Sequence, residues 1–192
     1  MNNTINLEAN ILSIIYDYFP TNISDADESY WETKEFLRLK EKCEEVSANT
    51  DWSNFYDRLR EQFPYYLIID QTRYFDYDRG FSMIITFKNE LKDIRYFEVL
   101  VSFIVPYYTI SLTETNGRGA FKYNINSLDV TNYGEKAQDD LIILRQLLLE
   151  FFPYDSLDET IGKKVINDLA FQNMSFGEVN VYKAIYNNYI FY

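Results

Sequence analysis

The spacing of apolar residues changes twice along this chain of 192 residues. Apolar side chains recur every three or four residues over 5–19, 28–47 and 51–62, which predicts three amphipathic helices. From residue 65 to about residue 125 they alternate with polar side chains, a pattern typical of half-covered strands. Helical spacing returns over 134–152. Because helices and strands are segregated along the chain, we expect an α+β fold.

The middle segment predicts an antiparallel meander sheet over about 65–125, flanked by the N-terminal helices and a C-terminal helix. Its predicted strands cover 65–70, 81–88, 94–105, 107–114 and 120–125. Val99, Val101 and Phe103 alternate along the most apolar of these runs, so we expect them to be buried on a central strand.

One face of this sheet is expected to be covered and the other partly wet. The polar alternates of the fourth predicted strand, Thr109, Ser111 and Thr113, mark the wet face. That face suits either a recognition surface or a place beneath a helix, and the sequence leaves both readings open.

We expect a single domain over 1–192, because a chain of this length can bury about 70% of its unfolded surface. Its parts are a helical segment (1–63), the sheet (64–133), and a helix with a mixed tail (134–192). The sequence does not assign the fold of residues 164–192, where short apolar runs are compatible with both strand and helix.

Residue types that are missing narrow the function. The chain has no histidine, and Cys43 is its only cysteine. These absences exclude Ser–His–Asp and Cys–His catalysis, His-ligated zinc and an intrachain disulfide. We therefore expect no cofactor, no metal and no enzymatic activity.

The same composition favours a cytoplasmic protein. The first residues include Glu8 and Asp17 but no early basic residue, so a signal peptide is not expected. No apolar run reaches 18 residues, and we therefore expect no membrane span.

Charge points to the kind of partner. The net charge is −12, from 30 acidic and 18 basic residues. Residues 1–63 hold 13 acids and 6 bases, which makes the N-terminal third the most acidic part. Direct nucleic-acid binding would require the opposite sign. An acidic surface instead suits a basic protein partner, which it attracts over a distance.

The stretch YFDYDRG, residues 74–80, contains the most conspicuous acidic cluster. An EF-hand loop that began at Asp76 would need oxygen ligands at positions occupied by Gly80 and Phe87, so that motif fails. Aspartate, arginine and glycine are typical of a solvated connection between two strands. Aromatic residues interleaved with such charges are typical of protein-binding hot spots.

These observations select candidate partner-binding residues in this loop and on the outer face of the second predicted helix. They are Tyr74, Asp76, Tyr77 and Asp78 in the loop, and Glu41 and Glu45 on the helix. No catalytic or metal-binding residue is assigned.

The closing stretch VINDLAFQNMSFGEVNVYKAIYNNYIF resembles the end of some polymorphic-toxin immunity proteins, in which an apolar strand follows a glycine and leads into an aromatic terminus. The size, acidity and α+β layout of the whole chain are also similar to that class. The resemblance implies a bacterial protein that binds and blocks a cognate toxin without catalysis.

Two other readings stay open. One is a phage-type acidic DNA-mimic inhibitor, although the 18 basic residues dilute its carboxylates. The other is a carboxylate metal-dependent hydrolase or nuclease, which would use Asp70, Asp76, Asp78 and Glu90.

Overall fold

A computed structural model describes most of the chain. The described residues are 2–73, 78–87, 93–116, 119–124 and 135–187. Tyr74, Asp76, Tyr77 and Glu90 therefore lie outside the described residues. The N-terminal part is helical, as predicted. It consists of α1 (Asn2–Tyr16), a 3-10 helix (Glu28–Glu32), α2 (Lys34–Ser47) and α3 (Asp51–Gln62).

The predicted helix over 28–47 is divided at Thr33. This residue is extended, with φ −67° and ψ 148°, and its side-chain oxygen accepts a hydrogen bond from Phe36 N at 3.2 Å. A threonine that caps a helix in this way separates that helix from the element before it. Below the cap, Phe36, Leu39 and Cys43 form the buried stripe of α2 that the spacing predicts.

The middle of the chain forms one mostly antiparallel sheet. Its main strands are β1 (Tyr66–Asp70), β2 (Gly80–Phe87), β3 (Asp93–Ser102), β4 (Tyr107–Asn116) and β5 (Gly119–Asn124). They lie side by side in chain order, and a short β6 (Asp155–Ser156) pairs in parallel with β4. The α+β fold with an antiparallel meander and flanking helices is confirmed.

The main core lies between one face of the sheet and the helices α3 and α4 (Glu135–Phe151). Val99 and Val101 are fully buried on β3, and Phe103 is buried just beyond the strand, as predicted. Trp52 of α3 stacks on Phe81 of β2 with ring centres 4.3 Å apart. Aromatic residues fill this layer because each ring buries a large apolar area in a defined orientation.

The second face of the sheet is covered on the β4 side. Thr109, Ser111 and Thr113 are at most 2% exposed, so they are not partly wet, and of the two readings that the sequence leaves open these residues follow the covered one. Tyr186 reaches this face, and its hydroxyl oxygen lies 3.0 Å from Thr109 Oγ1. Burial raises the pKa of Tyr186 above its ordinary value.

The described part of the tail, up to Asn187, contains α5 (Glu159–Gly162) and α6 (Val181–Ile185). The strand expected after Gly177 is reduced to a single bridge between Val165 and Asn180. Asn180 then caps α6, because its side-chain oxygen accepts from Lys183 N at 2.9 Å. This capping hydrogen bond is local, and it turns the chain into a helix where the apolar pattern is also compatible with a strand.

Candidate protein-binding surface

The structure places the predicted partner-binding residues in three different situations. Glu41 and Glu45 are exposed on the outer side of α2, and Glu45 pairs with Lys42 at 3.0 Å. Tyr74, Asp76 and Tyr77 belong to the part of the chain outside the described ranges, so their roles stay predictions. Asp78 is described, and it is buried.

The burial of Asp78 corrects the reading of this segment as a solvated connection. Asp78 and its neighbour Arg79 are each only 1% exposed. Asp78 Oδ2 accepts a hydrogen bond from Arg73 N at 2.8 Å, which closes the base of the loop. The side chain of Asp78 therefore stabilises the local backbone, and it is not exposed for contact with a partner.

Arg79 is buried because the C-terminal tail folds over it. Its guanidinium donates hydrogen bonds to Gln172 Oε1 at 2.5 Å and to Lys183 O at 2.6 Å. Its carbon Cζ lies 5.1 Å from the centre of the Phe171 ring. A charge is tolerated in such a place only when hydrogen bonds and ring faces replace the water that it has lost.

Cys43 connects this buried segment to α2. Its sulfur lies 3.5 Å from Asp78 O, so the inner face of α2 packs directly against Asp78. Burial raises the pKa of Cys43 to about 11. The two faces of α2 therefore differ: the inner face contacts Asp78, and the outer face carries the exposed Glu41 and Glu45.

The excess of negative charge in the N-terminal third comes from a shorter segment than the count over residues 1–63 suggests. Residues 1–33 contain six acids and no base, whereas residues 34–63 contain seven acids and six bases. A shorter counting window would have found this difference. Three of the six acids, Asp27, Glu28 and Glu32, are exposed around the 3-10 helix.

Trp31 stands among these acids and was missed in the sequence reading. Its side chain is 43% exposed, yet its Nε1 donates to Asp25 O at 3.1 Å. Its ring meets Phe36 edge to face with ring centres 4.8 Å apart, and Tyr30 lies against it at 5.3 Å. A large ring held in one orientation loses little conformational entropy when a partner covers it.

Leu37 is a second exposed apolar side chain, and it follows Phe36, whose ring contacts Trp31. It is 46% exposed at the start of α2, and Glu41 and Glu45 follow it at intervals of four residues on the same side of the helix. We define the Trp31 surface as the two apolar side chains with the carboxylates that surround them. Its members are Trp31, Leu37, Asp27, Glu28, Glu32 and Glu41.

The hydrolase reading rests on four carboxylates, of which the structure describes Asp70 and Asp78. Within the described ranges, no three Asp, Glu or Cys side chains gather as metal ligands. Asp70, one of the carboxylates considered for a hydrolase, accepts hydrogen bonds from Trp52 Nε1 at 2.8 Å and from Thr72 N at 2.9 Å. These contacts fix the side chain of Asp70 at the end of β1.

None of the protein-family models, curated proteins and solved structures that were compared with this chain matches it. None of the helices in the described ranges combines the length and the apolar character that crossing a bilayer requires. The arrangement that remains as a candidate site is the Trp31 surface, where a fixed aromatic ring is exposed among carboxylates.

Proposed function

We propose that this chain is a non-catalytic interaction protein that binds a basic partner protein through the Trp31 surface. The observation that carries the proposal is Trp31 itself. It is 43% exposed, although a hydrogen bond and two ring contacts fix its position. Exposed, fixed tryptophans are the residues most often found as energetic anchors of protein interfaces.

The charges around Trp31 favour a basic partner. Asp27, Glu28 and Glu32 are exposed beside the ring, and residues 1–33 contribute no compensating base. Such carboxylates act at the rim of an interface, where they steer the partner and raise the rate of association. Lys34 and Lys40 lie on α2 together with Glu41 and Glu45. This helix therefore contributes both positive and negative charges next to the acids of residues 1–33.

The biological role that we propose is that of a bacterial immunity protein in the cytoplasm. It would block a cognate toxin by covering the basic surface with which the toxin acts on its substrate. The class-level resemblance of the whole chain supports this role. Beyond Glu41 of the Trp31 surface, we expect further contacts with the toxin at Glu45 on the outer side of α2 and at the predicted partner-binding residues Tyr74 and Tyr77.

The direct experiment uses the protein encoded by the reading frame next to this gene as the partner. Binding is measured by surface plasmon resonance, together with inhibition of that protein's toxicity. Trp31→Ala should mainly accelerate dissociation, by about 30-fold, which corresponds to about 2 kcal/mol for a central anchor. Leu149→Ala is the matched control, because Leu149 is 55% exposed on α4 and should leave both rates unchanged.

A second pair of variants tests the charges. Glu28→Lys combined with Glu32→Lys should mainly slow association, and the wild-type association rate should fall as salt is added. Glu150→Lys reverses an exposed charge on α4 and controls for the change in net charge. Glu41→Lys with Glu45→Lys should act in the same direction as the first pair.

The alternatives predict different results. Absence of any interaction with the neighbouring gene product, or an interaction that none of these changes weakens, would contradict the proposal. A divalent-metal site of micromolar affinity, with nuclease or hydrolase activity that is lost in Asp70→Asn, would favour the hydrolase reading. Reversible inhibition of a DNA-binding enzyme would favour the DNA mimic.

A further inference from the structure

The strand β1 lies at the edge of the sheet and pairs only with β2 in the described part of the chain. Gln71 N donates to Ser82 O at 2.8 Å, which shows that the odd-numbered residues direct their backbone groups toward β2. Ile68 O accepts from the hydroxyl of Tyr56 at 3.1 Å, on the opposite side. The N–H of Ile68 therefore points out of the sheet.

Within the described residues, this edge carries little of the usual protection: the one charge of β1 is Asp70, at the end of the strand, and its carboxylate accepts from Trp52 and Thr72. Edge strands normally carry charged residues, prolines or bulges that discourage pairing with another chain. The run Tyr65–Ile69 contains neither a charge nor a proline. Its outward side chains are apolar and accessible, with Tyr65 80%, Leu67 47% and Ile69 42% exposed.

A groove of about 680 Å³ runs along the same edge, between β1 and α3. Its floor includes Tyr56 and Ile68, and its rim carries Asp57, Arg60 and Glu61 of α3. The rim therefore has both signs of charge, unlike the acidic surface around Trp31. A partner that suits it must also present both signs.

We propose that a second copy of this chain occupies this edge, with its β1 antiparallel to the first and a twofold axis at Ile68. This pairing is self-complementary. Leu67 of each copy then lies opposite Ile69 of the other, and the exposed apolar side chains cover one another. On the α3 side, the mixed charges of Asp57, Arg60 and Glu61, which line the groove, then face the same charges of the other copy.

The backbone at the axis fits this pairing. Each Ile68 donates its N–H to Ile68 O of the other copy, as two residues of a hydrogen-bonded antiparallel pair do. A carbonyl oxygen has two lone pairs, so Ile68 O can keep the hydrogen bond from the Tyr56 hydroxyl. None of the residues argued to form the dimer belongs to the Trp31 surface, so the dimer is tested independently of the proposed function.

Sedimentation velocity over a range of concentrations tests the dimer. The wild-type protein should reach twice the 23.0 kDa mass of one chain. Leu67→Lys and Ile69→Lys should each raise the dimer dissociation constant by about tenfold or more, equivalent to about 1.4 kcal/mol. Ile142→Lys and Leu149→Lys, at positions 53% and 55% exposed on α4, should leave it unchanged.

Cross-linking tests the register. Leu67→Cys mixed with Ile69→Cys should form disulfide-linked dimers faster than either variant alone, because positions 67 and 69 face each other across the axis. The natural thiol Cys43 is buried and should not compete. A wild-type protein that stays monomeric would overturn the proposal, as would a dimer that both lysine variants preserve. Faster cross-linking of like with like would overturn the register.

Discussion

Replacing Arg79 with methionine should destabilise the fold by about 3 to 5 kcal/mol, because two acceptors and one ring face lose the guanidinium that they contact. Arg79 is 1% exposed, and its guanidinium donates to Gln172 Oε1 and to Lys183 O. Methionine fills much of the same volume but supplies no donor and no charge. The change therefore tests the hydrogen bonds more than the packing.

The magnitude depends on the contacts that the variant removes. Gln172 Oε1 and Lys183 O are part-buried, and each loses the hydrogen bond from Arg79, at about 1 to 3 kcal/mol each. The contact between the guanidinium and the Phe171 ring, at 5.1 Å, is worth up to about 2 kcal/mol in a desolvated place. Removing the buried charge returns part of this loss, since the guanidinium no longer has to give up its water.

Urea unfolding followed by tryptophan fluorescence measures the effect. With a slope of about 2 kcal/mol per M, the midpoint of Arg79→Met should fall by roughly 2 M. Arg79→Lys should lie between the two proteins, because lysine keeps the charge but lacks the planar fork that spans both acceptors. Arg38→Met is the control, since Arg38 pairs with Asp17 on the surface and should contribute at most about 1 kcal/mol. An Arg79→Met protein within about 1 kcal/mol of wild type would refute this account of the buried charge.

Three further predictions concern the core. Gly162→Ala should lower the thermal midpoint in circular dichroism by an amount equivalent to about 1 to 3 kcal/mol, because an added Cβ would lie 2.3 Å from ring atoms of the fully buried Tyr182; an unchanged midpoint would show that the ring can move aside. Val101→Asp should prevent soluble folding, since it places a charge at a fully buried central position; a soluble protein that unfolds cooperatively would contradict that. The thiol of Cys43 has a pKa raised by burial from 9.0 to about 11. Its contribution to the free energy of unfolding is complete below about pH 9 and is lost as the pH rises through 11, because the unfolded chain releases the proton first. Wild type should therefore lose stability more steeply than Cys43→Ala over that range, and equal slopes would exclude the effect.

The helices and strands were predictable because their signal is local. An amphipathic element must bury one face, so the spacing of apolar residues carries its type along the chain. The division at Thr33 is also a local effect. The hydrogen bond from Phe36 N to the side chain of Thr33 separates the 3-10 helix from α2 within the predicted helix over 28–47. The buried stripe of α2 and the central place of Val101 on β3 follow from the same patterns.

The buried charge and the covered sheet face were not predictable in this way. Arg79 is buried by Gln172 and Lys183, which are 93 and 104 residues away in the chain. Thr109 is covered by Tyr186, at a separation of 77 residues. A polar side chain is solvated or buried according to the partners that the fold brings to it, and nothing in its own neighbourhood records those partners.

The sequence alone determined the α+β class, the net negative charge, and the exclusion of histidine-dependent sites and of an intrachain disulfide. Each of these depends only on residue types and their spacing. The tertiary structure decided which acids and aromatic rings remain accessible. It buried Asp78, which the sequence reading placed on an exposed loop, and left Trp31 and Leu37 open among carboxylates. The exposure of a side chain depends on which other elements pack over it. It is therefore fixed only when the helices, the sheet and the tail have come together in the folded protein.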